Sequence, residues 1–322
     1  MKLATRAAIV GAAAGMASFV YQAIAEAHDR QAFPPPGRLV DIGGRRLHLI
    51  EMGEGSPAVV IIPALADNVL AWLRILDGAA ADTRACVYDR ADVGWSDAPP
   101  HWRRTPHSMA ADLHALLSAS GIPAPYILVG HSIGGIIARR FYAEHPDLVA
   151  GMLLVDSSHE QQVHRFAEQG GWRRGPYRYA REAVRRQARI LGMRRLAAVL
   201  GLMRSLDADI AREAPPEHAG SYRAILLSSP QRRAAVREML MATQAWGEPP
   251  GLGSIPLTVL TRASGTGESW LVWARLQDKL AELSTDSVHI RARQGGHYLH
   301  LDEPDLVVQA VRDLVQRCRR TR

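Results

Sequence analysis

The residues of this 322-residue chain whose types could do chemistry together are a serine wedged between glycines, a histidine behind a glycine pair, and a few carboxylates at the ends of apolar runs. Gly130-His131-Ser132-Ile133-Gly134 fits the pattern G-x-S-x-G between the apolar run PYILVG and the helical run GGIIARRFYAEHP. The chain must therefore turn from strand to helix at Ser132. In so sharp a turn, side chains two residues away would collide, so glycines flank the serine and leave its hydroxyl exposed over the sheet. The same turn puts the hydroxyl beside the positive end of a helix, which favours a developing negative charge. A neutral serine is a weak nucleophile, so the chemistry also needs a base within hydrogen-bond reach and a third group to orient that base.

The elements that would position these residues follow from apolar periodicity. RLVDIGGRRLHLIEMG alternates around Gly43-Gly44 and predicts a hairpin. AVVIIP, RACVYD, PYILVG, LVAGMLLVD, IPLTVLTRA and SVHIRAR are short apolar runs of the kind that strands covered on both faces require. Between most of them lie helical patterns such as SMAADLHALLSASG and SWLVWARLQDKLAELS, and DEPDLVVQAVRDLVQRC follows as a last helix. The alternation predicts an α/β fold with a mostly parallel sheet flanked by helices. From about 160 to 250 the rhythm changes to helical patterns alone, predicting an inserted helical cap. The fold proper is expected over 38–318, followed by a basic tail at 319–322.

With its elbow, its YDRADVGWSDAP segment (Tyr88 to Pro99) and its GGHYLHLDEPDLVVQAV segment in this order, the chain resembles the α/β-hydrolase superfamily. The resemblance implies a triad of Ser132, His297 and a carboxylate. His297 occupies the family's histidine position, with His300 as the stand-in. Asp156, at the end of the strand after the elbow helix, is expected to be the acid, and Glu268 and Glu160 remain alternatives. The loop after the third strand commonly reads His-Gly-x in this superfamily, whereas here it reads Pro63-Ala64-Leu65-Ala66. Backbone donors do not depend on the side chain, so the N–H groups of Leu65 and Ile133 are expected to form the oxyanion hole. His131 is expected to serve as wall or support, and His289 to pack or face solvent.

Composition narrows the partners. Residues 160–250 hold 16 arginines and no lysine against nine carboxylates, but no interleaved aromatic platform, so no nucleic-acid partner is expected. Two cysteines, Cys86 and Cys318, are too few and too differently placed for a disulfide framework or metal cluster. The chemistry calls for no cofactor and no metal. Lys2 and Arg6 precede 19 uncharged residues, Ala7 to Ala25. At helical rise that stretch is about 28 Å long, so residues 1–25 are expected to be a membrane anchor or a signal segment. Residues 26–37 then read as a linker, and the protein as membrane-anchored or exported.

The expected activity is hydrolysis of a carboxylic ester through an acyl-enzyme, with a small-molecule ester or related acyl compound as partner. Trp172, Tyr177, Tyr179, Met193, Met203 and Met239 are candidate cap residues for an acyl pocket. Acyltransferase, thioesterase or aminopeptidase activity, or a non-catalytic binding role on the same scaffold, are the alternatives. Serine at the elbow disfavours haloalkane and epoxide chemistry, which an aspartate there would suit.

Overall fold

The computed structural model describes residues 2–168, 193–244 and 246–320. Eight strands form one sheet in the order β1-β2-β4-β3-β5-β6-β7-β8. They are β1 (Arg38–Asp41), β2 (Arg46–Met52), β3 (Ala58–Ile62), β4 (Ala85–Tyr88), β5 (Tyr126–His131), β6 (Val149–Val155), β7 (Leu257–Thr261) and β8 (Ser287–Arg291). β2 runs antiparallel to both β1 and β4, and all other pairings are parallel. The predicted hairpin is therefore the antiparallel edge of an otherwise parallel sheet.

Helices cover both faces because each central strand is apolar on both. Val59 and Ile61 of β3 pack with Ile75 and Leu76 of α2 (Leu73–Ala80) and with Val311 and Leu314 of the last described helix. Val60 and Ile62 face the other way, onto Leu113 and Leu117 of α3 (Pro106–Ser120) and Ile137 and Phe141 of α4 (Ile133–Glu144). This period-2 division sets the register, since a one-residue slip would exchange the two cores. Local signals bound the helices. α3 starts at Thr105, whose side chain forms a capping box with Ser108, and ends at Gly121 in the left-handed conformation.

Between β6 and β7 the described residues hold α5 (Gln162–Glu168), α6 (Met193–Val199), α7 (Arg204–Glu213), α8 (Ala219–Leu226) and α9 (Ser229–Ala242), with no strand among them. After β7 come α10 (Gly267–Ala281), then, beyond β8, the short α11 (Leu299–Asp302) and α12 (Pro304–Arg320).

The N-terminus departs from the sequence expectation in two ways. No helix among the described residues is long and apolar enough to cross a membrane, which removes the basis for a spanning anchor at Ala7 to Ala25. Its alanines and glycines make a helix of the right length with too little hydropathy. Nor is 26–37 a linker from its start, because α1 (Lys2–Ala32) runs through Ala32. Residues 26–32, EAHDRQA, favour a helix, and the proline run after Phe33 stops it. The end of α1 is tied to the cap. Gln22 Nε2 donates to Leu227 O at 2.8 Å, Ser229 N–H to Glu26 Oε1 at 2.7 Å, and Arg195 Nη1 to Asp29 Oδ2 at 2.5 Å.

Candidate active site

Parallel strands gather chemistry at their carboxyl ends, and β5 and β6 end on the residues of interest. Ser132 follows the last residue of β5 with φ 53° and ψ −121°, a conformation uncommon for a residue with a side chain. The surroundings enforce it. Ser132 N–H donates to Val155 O at 3.3 Å, and its carbonyl accepts from Gly135 N–H at 3.1 Å and Ser158 N–H at 2.9 Å. A Cβ on Gly130 would meet Gly135 Cα at 2.6 Å, and one on Gly134 would meet Ile62 O at 2.1 Å. Only glycines allow the first turn of α4 to lie against the strand and against the loop after β3.

Asp156 follows β6 on the neighbouring strand, itself at φ 37° and with no exposed surface. Its Oδ2 accepts from His297 Nδ1 at 2.6 Å. Its Oδ1 accepts from Trp273 Nε1 of α10 at 2.9 Å and from Arg262 N–H at 3.2 Å. Burial by itself would raise the Asp156 carboxyl pKa, but the hydrogen bond and charge of His297, the Trp273 donor and the Arg262 guanidinium together hold it below the usual carboxylate value. Asp156 is thus an ionised acceptor that fixes the proton of His297 on Nδ1 and leaves the lone pair on Nε2.

Of the three carboxylates weighed from sequence, only Asp156 meets His297. Glu160 is closed in a buried ion pair with Arg139, at 2.9 Å from both Nε and Nη2. Glu268 lies exposed in the first turn of α10. His289 half-buries on β8 and shares a 2.8 Å hydrogen bond with Thr261 Oγ1. His300 is buried with its ring stacked on Trp72, centroids 4.1 Å apart. His131 has a definite support role, since its Nε2 donates to the carbonyl oxygen of His297 at 2.7 Å. Its complete burial drives the imidazole pKa down to about 3, so the ring is neutral.

The oxyanion candidates sit where the elbow and the loop after β3 meet. Ile133 is the first residue of α4, where helix geometry supplies no backbone acceptor for its N–H. Pro63-Ala64-Leu65-Ala66 is held by partners that motif reading does not disclose. Arg90 donates from Nη1 to Pro63 O at 2.7 Å and from Nη2 to Ala64 O at 2.5 Å. Glu238, from cap helix α9, pairs with Arg90 Nε at 2.7 Å and accepts the Ala66 N–H at 2.6 Å. Gln231 of the same helix donates to Ala66 O at 2.5 Å. A cap helix thereby clamps the loop that carries Leu65. Sequence could have offered only the place of Arg90 within the YDRADVGWSDAP segment; Glu238 lies 148 residues away.

Trp172, Tyr177 and Tyr179 lie outside the described residues. Met193 opens α6, while Met203 and Met239 are half-buried, Met203 packing against the core.

Residues 57–304 match the family described as alpha/beta hydrolase fold. An AB hydrolase superfamily protein of Gibberella zeae is 36% identical over 107 residues, 32% of this chain and 33% of that protein. A fluoroacetate dehalogenase of a Burkholderia species is 28% identical over 143 residues, 42% of this chain and 46% of that protein. The chain thus spans less than half the length of these relatives. A thermophilic esterase from Thermogutta terrifontis superposes with a TM-score of 0.62 over 88% of this chain and 99% of that one, at 20% identity, a likeness of fold.

Proposed function

The chain belongs to the α/β-hydrolase fold family, and on that footing we propose that it is a serine hydrolase acting on carboxylic esters, with Ser132 as nucleophile, His297 as base and Asp156 as the orienting acid. The observation that carries this reading is the 2.6 Å contact from His297 Nδ1 to Asp156 Oδ2 at the sheet edge where Ser132 sits in its strained turn.

The steps follow from that arrangement. Ser132 Oγ attacks the ester carbonyl while its proton passes to His297 Nε2. The imidazolium is stabilised by Asp156, which stays ionised. Leu65 and Ile133 N–H groups hold the tetrahedral oxyanion, and on its collapse the alcohol leaves with the proton from His297. Water then attacks the acyl-enzyme by the same route and frees the acid. An ester suits this site better than an amide because an alkoxide is the better leaving group. A serine at position 132 disfavours the chemistry named for the dehalogenase relative.

A panel of p-nitrophenyl esters of increasing acyl length tests the proposal. A burst of p-nitrophenol matching the enzyme concentration, absent in Ser132→Ala, is the expected result. Turnover that Ser132→Ala retains in full would overturn it. Absence of turnover on every chain length, together with tight binding of the same esters, would favour a non-catalytic role for the scaffold.

A further inference from the structure

Beside the residue that precedes Ser132, three side chains from separate elements meet: Asp67 from the loop after β3, His131 from the end of β5, and His300 from α11. One donor atom of each lies within 4.8 Å of the others. His300 Nε2 stands 3.7 Å from Asp67 Oδ2. His131 and His300 are buried in full or nearly so, and three of their four ring nitrogens, His131 Nδ1 and both of His300, are buried without a hydrogen-bond partner. Polar atoms left unsatisfied in the interior destabilise the fold. A packed core histidine normally finds partners for both nitrogens, so this cluster is unlike ordinary core.

We propose that Asp67, His131 and His300 form a binding site for a borderline divalent transition-metal ion of the Zn²⁺ class. Two imidazoles and one carboxylate suit such ions and not Mg²⁺ or Ca²⁺, which take all-oxygen sets. Zn²⁺ ligands at about 2.0–2.2 Å in tetrahedral array stand roughly 3.3–3.6 Å apart. The Asp67–His300 pair, at 3.7 Å, is within about 0.1 Å of the upper end of that spacing, and the third donor, within 4.8 Å of the other two, needs to close by at most about 1.5 Å. Three protein ligands leave one position for water.

The surroundings prepare each ligand. His131 donates its Nε2–H to the His297 carbonyl, and this fixes the tautomer whose Nδ1 is a bare lone pair; a backbone carbonyl is a usual outer partner of a metal-bound histidine. Asp67 is held by Asn68 N–H at 2.9 Å and Trp72 Nε1 at 2.7 Å. The Trp72 indole in turn stacks on His300 at an interplanar angle of 7°, setting that ring's orientation. An ion here would hold the ring that supports His297, one residue before Ser132, and its binding does not depend on whether the protein cleaves esters.

The test uses the full chain, stripped with a chelator and titrated with Co²⁺ and with Zn²⁺. One equivalent should bind, with a Co²⁺ ligand-field spectrum of low-symmetry N/O ligation and two paramagnetically shifted imidazole N–H resonances in the wild type. Saturating Zn²⁺ should raise Tm by roughly 5 °C at a hundredfold excess over Kd. Asp67→Asn and His300→Phe, the latter keeping the stack on Trp72, should each lose the equivalent. His145→Gln, at the stacked His114–His145 pair on another face, should retain it. No uptake by the wild type, retention in both Asp67→Asn and His300→Phe, or loss on His145→Gln alone would overturn the proposal. Should the two site variants fail to fold, the count of shifted imidazole resonances in the wild type decides: two support the site, none or one refutes it.

Discussion

Asp156 is the residue on which the geometry converges, because it accepts three donors while buried, and each donor favours its charged form. Replacing it with asparagine keeps the size and loses the charge that fixes His297 with its proton on Nδ1. Asp156→Asn should lower kcat on the order of 10⁴-fold with a smaller change in KM, by analogy with serine protease triads, measured on a short p-nitrophenyl ester. A loss under tenfold would remove Asp156 from the account. Ser132 and His297 are legible in sequence because each sits in a local motif whose backbone demands are severe. Asp156 is less so, since three carboxylates satisfy the chain order and only the fold shows that Glu160 is closed by Arg139. Trp273 and Arg262 leave no trace in sequence, as their bonds to Asp156 span 117 and 106 residues.

At the scale of elements, strands and flanking helices are legible because short apolar runs and capping signals are local properties. Contacts between elements are not periodic, and so the clamp between α9 and the loop after β3 cannot be read from the chain. That clamp has a testable consequence. Glu238→Ala leaves the Arg90 guanidinium buried without its counter-charge and Ala66 N–H without an acceptor. A stability loss of about 3–5 kcal/mol is expected in urea unfolding. Misplacement of the Leu65 donor should also reduce kcat by about 10²- to 10³-fold. Glu238→Gln, which keeps an acceptor for Ala66, should recover more activity than stability. Equal activity in Glu238→Ala and wild type would show that the loop holds itself without the cap.

For the whole molecule, the N-terminal helix is the part that sequence places least well, because its length suggests a membrane span while its contacts belong to the cap. Removal of residues 2–33 should cost the Asp29–Arg195 pair and the Glu26 and Gln22 bonds. Each charge-assisted bond is worth about 1.5–3 kcal/mol. A fall in Tm of at least about 4 °C is expected by calorimetry; an unchanged Tm would mean that the docking contributes nothing.

The buried histidines set the pH dependence of the fold. Burial lowers the pKa of His131 to about 3, and of His300 well below its usual value, so both stay neutral when folded and take protons near pH 6.5 when unfolded. Their stabilising effect is complete above about pH 6.5 and declines as pH falls from there toward each group's folded value, about 3 for His131, by up to about 1.4 kcal/mol per unit for each group. Asp156 acts lower, its depressed pKa contributing stability above about pH 3.9 that is lost as pH falls through the folded value. Chelator-treated protein should therefore lose Tm steadily between pH 6.5 and 4, and a flat profile would contradict neutral buried imidazoles.

The central claim, that the turn at the end of β5 presents an activated serine, is tested most directly by a fluorophosphonate probe followed by peptide mass spectrometry. The account predicts one adduct per chain, on Ser132, formed much more slowly in His297→Ala and not at all in Ser132→Ala. No adduct on the wild type, or an adduct on another residue that persists in Ser132→Ala, would contradict it.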